Sequence, residues 1–424
     1  MADLPSLVVE AAVGVAPAVA YLQLDDPSRG LLDTGVLGPD TVWTDISAYA
    51  RSFTTTRGRN RATESYTPGR CSVVLDNTDG RFDPENLSGP YVFESVTQLK
   101  SMVPIRLSAV YAGVSYPLFR GYSDAWATSH PGMFDSVCVL TATDAFKTLG
   151  FQASSASAPV GEGEGTGARI ARLLNIAGFS AVDRDLDTGL NTVQATTLAQ
   201  AVLTEMQLTA DSEYADLFIS SDGKVTFRER YARLTRSRSI TSQVTFSDDK
   251  TAVDAGTAIG YTDIRKESDG DLIGNDVTRA NAGSTLQTVT DATSIANFLP
   301  RRDNKTDLVN DTDSHALSVA QWLLLLYKDY EVRVAKIDVM PASASTFAWP
   351  VMLALEFLDR VSVERRPPYG GTLTTPSFVQ GIDWEGGPEN WTVSLALEGA
   401  ANQTGYFVLD SATLGVLDTN YLTA

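Results

Sequence analysis

The sequence predicts a β-rich α+β protein in which two β units flank a small α+β module. Three observations carry this reading. Short alternating runs bounded by Gly, Pro and Asx residues fill the chain up to about residue 149 and return after about 258. Between residues 151 and 167 the composition shifts to Ala, Ser, Gly, Pro and Glu, the signature of a flexible connection and a domain boundary. Apolar residues at helical spacing are confined to a few later stretches. The closely spaced strands favour a small barrel or sandwich over a parallel sheet.

In chain order, residues 18–24 and 41–56 alternate as strands, with Trp43, Ile46, Tyr49 and Phe53 as packing candidates. Further strands are expected at 103–111, 116–126 and 134–143, separated by Gly113 and a His130-Pro131-Gly132 turn. Thr166 is placed to cap a helix carrying Ile170, Leu173, Leu174 and Ala177 on one face, and Gly178 stops it. A second helix covers 198–207. The strands 217–220 and 225–229 flank Ser221-Asp222-Gly223-Lys224, and Asp-Gly supplies the twist that a tight antiparallel hairpin needs. Strands resume at 259–266 and 275–279. The longest helix is expected at 314–327, with Ala316, Val319, Ala320, Leu323 and Leu326 on one face. Beyond it come strands at 332–339, 353–357, 361–364, 378–384 and 391–397, the last two joined as a hairpin across residues 386–390.

The most specific stretch is 71–91, CSVVLDNTDGRFDPENLSGPY. Val73 and Leu75 share one face of a strand. Asp76, Asn77, Asp79 and Gly80 then turn the chain, because Asx side chains bond nearby backbone and glycine takes positive φ; Phe82 follows as an apolar anchor and Pro84 closes the turn. Nothing in this segment is a plausible catalytic group, so it reads as part of a building block.

A length of 424 residues exceeds one hydrophobic core and suggests roughly two to four domains of about 100–200 residues. The formal charge of -19 opposes sequence-independent binding to nucleic acid, which needs a basic face. Such acidity fits either a solvated surface or the wall of a passage through which DNA slides. Cys71 and Cys138 lie in apolar strand-like runs and are expected as reduced core thiols. The first 20 residues lack a basic start, and no uncharged apolar run approaches the roughly 20 residues that span a bilayer, so synthesis in a cytoplasm and no membrane span are expected.

The residue inventory gives little to build an enzyme from. With His130 and His315 alone, neither a zinc cluster nor a Ser-His-Asp triad is available, and both histidines read as structural. Glu162 and Glu164 sit in a glycine-rich loop that lacks the Lys-Ser/Thr of a phosphate cradle. Asp183, Asp185 and Asp187 alternate as calcium ligands do, but Gly189 is one place late and Gln194 stands where a bidentate Glu is needed. No catalytic residue, metal or cofactor is therefore expected. One basic patch, Arg228, Arg230, Arg233, Arg236 and Arg238, reads either as a solvated strand edge or as a contact to an acidic neighbouring protein. Leu24-Asp25, Gly30, Leu32-Asp33-Thr34 and Leu37 are echoed at the same spacing by Leu409-Asp410, Gly415, Leu417-Asp418-Thr419 and Leu422, a shared submotif of unknown partner.

Three segments together carry a family resemblance: residues 72–91, then LIGNDVT at 272–278, then the run from Ser314 through LEFLDRV at 355–361 to GIDW at 381–384 and WTVSL at 391–395. Over most of 43–399 the chain resembles the baseplate-hub and tail-hub proteins of long-tailed bacteriophages, often labelled minor tail proteins. The resemblance implies two tube-like β-barrel domains at 17–149 and 258–399, a linker and α+β module at 150–257, an N-terminal segment at 1–16 and a C-terminal tail at 400–424. It implies a homotrimer imitating six units, a pseudo-hexameric ring that joins the hexameric tail tube to a threefold tip of the virion. Expected neighbours are the tail-tube ring, the tape-measure protein and downstream tip or fibre proteins, with genome DNA only in transit. Because the chain ends at Ala424, wall cleavage and receptor binding are expected on other chains. The alternative from another class is a carbohydrate-binding, adhesin-like tail component, suggested by Tyr369, Trp384 and Trp391 as exposed aromatics and by the terminal echo.

Overall fold

A computed structural model describes residues 4–13 and 42–400, apart from 94, 133–134, 155–157 and 269. The expected strand at 18–24 and both copies of the terminal echo lie outside the described residues. The β-rich α+β character is as expected, but the two β units are not separate sheets. Their strands pair into one 13-stranded sheet, running in the order 263–267, 333–339, 391–399, 373–386, 50–58, 67–76, 135–143, 114–132, 104–111, 6–11 and 44–45. Strand Arg360–Arg365 pairs the first half of Leu373–Gly386, and Thr245–Ser247 adds beside it in parallel. The path begins at 263–267 and ends at 44–45, so the sheet is open along both of these edges among the described residues.

The join between the units is a seam in which Ala50–Gly58 pairs antiparallel with Leu373–Gly386, from Gly381 opposite Gly58 to Gly386 opposite Phe53. Two glycines permit this approach. Gly58 has φ +107°, and a Cβ there would lie 2.3 Å from the Gln380 carbonyl oxygen; a Cβ on Gly386 would lie 2.4 Å from the Phe53 ring. No pattern within either strand announces the pairing, because its partners are more than 300 residues apart.

Alternation then sorts the side chains. Phe53, Val73, Leu75, Leu140, Ile382, Val393 and Leu395 all enter one core that runs under the seam. Trp384 and Trp391 join it at 4 % and 3 % exposure, with Trp391 edge-on to Phe53 at 4.7 Å and to Trp349 at 5.9 Å. This corrects the expectation that both tryptophans are exposed: they fall on the inward positions of their strands, and each ring buries roughly 150–250 Å². Of the three aromatics, Tyr369 alone is exposed, at 79 %.

The helix Thr166–Ile176 starts where expected and stops at Gly178, which has φ +64°. Thr166 does not cap it; Gly165 occupies the cap position while the Thr166 hydroxyl donates to buried Glu213. Composition suggested a flexible connection just before this helix, but residues 160–164 are gripped by Arg169. That guanidinium, almost wholly buried, donates to Glu164 at 2.6 Å, to the Gly161 carbonyl at 2.9 Å and to the Gln194 carbonyl at 2.8 Å. The second helix is Val202–Glu213, and the Asp-Gly hairpin forms as Asp216–Ile219 with Val225–Arg228, turning at Gly223 with φ +86°. Helix Asp313–Tyr327 packs Val319, Ala320 and Leu323 on Val277 of strand Asp276–Asn281, and Trp322 and Leu326 towards Tyr231 and Leu234.

Two local expectations differ. The run 41–56 is broken by a turn at Ser47–Tyr49, because the Asp45 carboxylate accepts the Ser47 N–H at 2.8 Å. The run 353–357 is not a strand: helix Ser345–Leu353 ends there and the chain turns, with Asp359 accepting the Glu356 N–H at 2.9 Å and the Arg238 guanidinium at 2.7 Å. His130 and Pro131 lie in strand Val114–Gly132 and not in a turn.

Candidate functional site

Three structures converge on the seam: a turn that anchors the first unit, a buried polar lock, and an open polar face. In the turn, Asp76 accepts the Thr78 N–H at 3.0 Å and hydroxyl at 2.8 Å, and its other oxygen meets Arg51 at 3.0 Å. The Thr78 backbone N–H, its hydroxyl and Arg51 hold the Asp76 carboxyl down to about 2. Buried Asn77 accepts the Phe82 N–H at 2.7 Å, and its own N–H donates to the Ser136 carbonyl at 2.9 Å. Gly80, at φ +70°, closes the turn onto the Asn77 carbonyl at 2.9 Å. Asp79 accepts the Arg81 N–H at 3.1 Å and its guanidinium at 2.7 Å, and Arg81 lies over Tyr49. Phe82 is fully buried and stacks with Tyr91 at 5.5 Å and Trp126 at 6.2 Å; Pro84 is half-buried just beyond. The local chemistry read from the sequence thus fixes the position of one aromatic anchor.

The lock lies behind the seam and joins three parts of the chain. Arg59 follows the first seam strand and donates to Asp216 at 2.5 Å and to Gln380 at 2.8 Å. Arg233 of the middle module donates to Asp216 at 3.1 Å and to Glu398 at 2.7 Å. Glu398 also accepts the Gln380 amide and the Tyr327 hydroxyl, each at 2.9 Å, and Tyr327 meets Tyr214 at 2.6 Å. Two guanidinium groups and two carboxylates make this cluster neutral, which is the condition for holding four charges out of water. Against the upward push of burial, Arg233 and Arg59 hold Asp216 below the usual carboxylate range. Burial and the nearby Glu398 push Tyr214 up to about 12. Nearby, Arg57 meets Glu356 at 3.1 Å, and Glu356 accepts the Ser221 N–H at 2.8 Å, a second tie between seam and hairpin.

On the side away from the core, direct cross-strand neighbours form a row through Asp263, Asp338, Ser394, Asp383, Thr56, Arg70 and Thr143. Two residues along, Thr392, Glu385, Thr54, Ser72 and Thr141 form a second row. The face is paved by hydroxyls and carboxylates and crosses the seam without a break. Ser394 donates to Asp338, and Lys336 stands 3.5 Å from the same carboxylate. Burial raises Asp383, with Lys336 acting against it.

The five arginines singled out in the sequence go to separate places. Arg233 is in the lock. Arg228 pairs with Asp185 at 2.9 Å and Asp187 at 3.3 Å, and Arg230 is buried against Tyr231 and donates to Ser318 at 3.1 Å. Arg236 meets Asp187 and Arg238 meets Asp359, each at 2.7 Å, with side chains 42 % and 48 % exposed. Of the calcium-like acids, Asp183 faces Arg120 at 2.7 Å while Asp185 and Asp187 face these arginines. Among the described residues no group of three or more His, Cys, Asp or Glu is placed to hold a metal, and no helix is long and apolar enough to cross a membrane. Cys71 and Cys138 are free and buried, and burial pushes the Cys138 thiol up to about 12. Sequence reading missed Arg59, Gln380 and Glu398 altogether: Arg59 follows its strand, Gln380 sits at the bulge between Val379 and Gly381, and Glu398 is out of phase with inward Val393, Leu395 and Leu397, so strand alternation gave no signal for them.

The course of this sheet is shared with phage tail proteins. The 43 kDa tail protein of prophage MuSo2 from Shewanella oneidensis superposes with a TM-score of 0.56 at 12% identity, over 93% of this chain and 98% of that one. The tail protein from Neisseria meningitidis MC58 gives 0.57 at 11% identity, over 93% and 96%. The chain has the phage tail-protein fold. No family model and no curated protein matches the sequence. The likeness therefore rests on the path of the chain, at an identity where side chains have been almost entirely replaced.

Proposed function

We propose that this chain is a structural, non-enzymatic component of a phage tail tip, a hub protein of which three copies form a pseudo-hexameric ring between the hexameric tail tube and a threefold tip. In this reading 17–149 and 258–399 are the two tube-like units, 150–257 is the linker and module, and 1–16 and 400–424 are terminal segments. The observation that carries it is the seam, which makes two β units of one chain into neighbouring parts of a single wall. Two such units per chain give three copies six wall segments, the arithmetic that matching a sixfold ring requires. The open edges of the sheet, at 263–267 and at 44–45, are where the next copy attaches, and charged Asp263, Arg265, Lys266 and Glu267 keep the first of them from pairing indiscriminately. The hydroxyl and carboxylate face lines the passage, where it repels DNA in transit. Helix 313–327 braces the second unit, and Arg236 and Arg238 are the exposed arginines left for an acidic neighbour. The tail-tube ring, tape-measure protein and downstream tip or fibre proteins are the remaining partners, in a virion assembled in the host cytoplasm.

Native mass spectrometry of the assembled tip tests this. Three copies of the chain are expected in one ring; a stable monomer within the tip refutes it. The adhesin-like alternative loses two of its three aromatics to the core, which leaves Tyr369 as its one exposed ring among those named.

A further inference from the structure

A cleft of about 390 Å³ opens above the lock, between the loop 59–66, helix 202–213 and the segment that carries strands 276–281 and 302–308. Its size falls in the range of about 300–1,000 Å³ typical of small-molecule sites, but such sites are mostly apolar, whereas here polar and charged side chains share the lining about equally with Tyr66, Tyr214, Leu272, Ile273, Leu323 and other apolar groups. Gln207, Asp211, Arg279, Asp303, Asn304 and Lys305 form the polar part that matters here, a set of planar and charged groups. The charges are already answered within the wall. Lys305 meets Asp211 at 2.5 Å and Arg279 meets Asp303 at 2.6 Å; deeper in, Arg59 meets Asp216, and at the rim Arg302 meets Asp276 at 3.0 Å. Glu64 adds one carboxylate at the exposed mouth, where water and salt screen it.

Paired in this way, the walls leave no charge for an anion or a cation to neutralise apart from the screened Glu64 carboxylate at the mouth. What they do offer is a dense array of hydrogen-bond donors and acceptors whose orientations are fixed in advance by the ion pairs, so that a ligand need not order them on binding. We infer that the cleft is a binding site for a neutral, polyhydroxylated ligand, a saccharide of one or two rings. Asn304 and Gln207 are the uncharged planar groups that read the hydroxyls, and the Lys305–Asp211 and Arg279–Asp303 pairs supply alternating donors and acceptors on either side. This site is separate from the sheet edges and from the polar face, so it stands or falls independently of the ring.

The test uses the full-length chain and a panel of neutral sugars, including glucose, galactose, rhamnose, N-acetylglucosamine and their common disaccharides, in saturation-transfer NMR and calorimetry. At least one sugar is expected to bind in the millimolar range or tighter. Asn304→Ala and Gln207→Ala each weaken that binding about tenfold without moving the melting temperature, while Tyr369→Ala, at an exposed position outside the cleft lining, leaves it unchanged. Failure of every sugar to bind overturns the assignment, as does binding that survives the Asn304→Ala/Gln207→Ala double variant or is lost in Tyr369→Ala. Displacement of the sugar by inorganic phosphate or spermidine at equal concentration also overturns it, since the cleft would then select charge.

Discussion

Glu398→Gln is the sharpest probe of how the three parts of the chain are held together. The substitution keeps the shape of the side chain and removes one negative charge from a cluster that contains Arg59, Arg233 and Asp216. The wild-type cluster is neutral; the variant buries a net positive charge. Its amide also cannot accept from all three donors, Arg233 at 2.7 Å and Gln380 and Tyr327 at 2.9 Å, because one of its two oxygens has become a donor. Breaking a buried pair by removing one partner costs about 3–5 kcal/mol. That is a large share of a typical stability of about 5–15 kcal/mol. Urea denaturation followed by tryptophan fluorescence reads it, since Trp384 and Trp391 lie in the core beneath the seam. Adding Arg233→Met removes the excess charge and leaves Arg59 with Asp216, so the double variant is expected to lose less than the sum of the two single changes. The solvent-exposed pair Lys250–Asp254 is the control, and Lys250→Ala should move stability by no more than about 0.5 kcal/mol. A Glu398→Gln protein within about 1 kcal/mol of wild type, or a double variant equal to the sum, refutes the lock.

Three further outcomes are expected. Phe82→Ala, which empties a fully buried ring site, should lower stability by about 3–5 kcal/mol by the same denaturation assay. Gly58→Ala places a Cβ against the Gln380 carbonyl at positive φ, and hydrogen exchange should show lost amide protection at 53–58 and 381–386 while the hairpin at 216–228 keeps its own. Asp144 accepts the Gly69 and Phe146 N–H groups in a buried site, and burial pushes its carboxyl up to about 7 against those donors. The folded protein thus keeps a proton that the unfolded chain releases near 3.8, so this group's stabilisation is complete below that pH and is lost as pH rises towards 7. The melting temperature of wild type relative to Asp144→Asn should therefore fall between pH 4 and pH 7; a difference that is flat or rises with pH contradicts this.

By itself, the sequence determined whatever depends on neighbours along the chain. The Asp76–Pro84 turn, the stop at Gly178, the Asp-Gly hairpin and helix 313–327 were all legible, because an Asx side chain, a positive-φ glycine or an apolar repeat acts over a few residues. It also gave the β-rich class and the resemblance to tail hubs. Tertiary structure alone decided the seam, since the pairing of 53–58 with 381–386 is set by which sheet edges meet and not by any local pattern. It likewise sent Trp384 and Trp391 inward, and it divided five arginines that look like one basic patch among the lock, the module and the surface. The physical reason is common to all of these: a charge or an edge acquires its meaning from the partner that desolvates or pairs it, and here those partners lie up to more than 300 residues away.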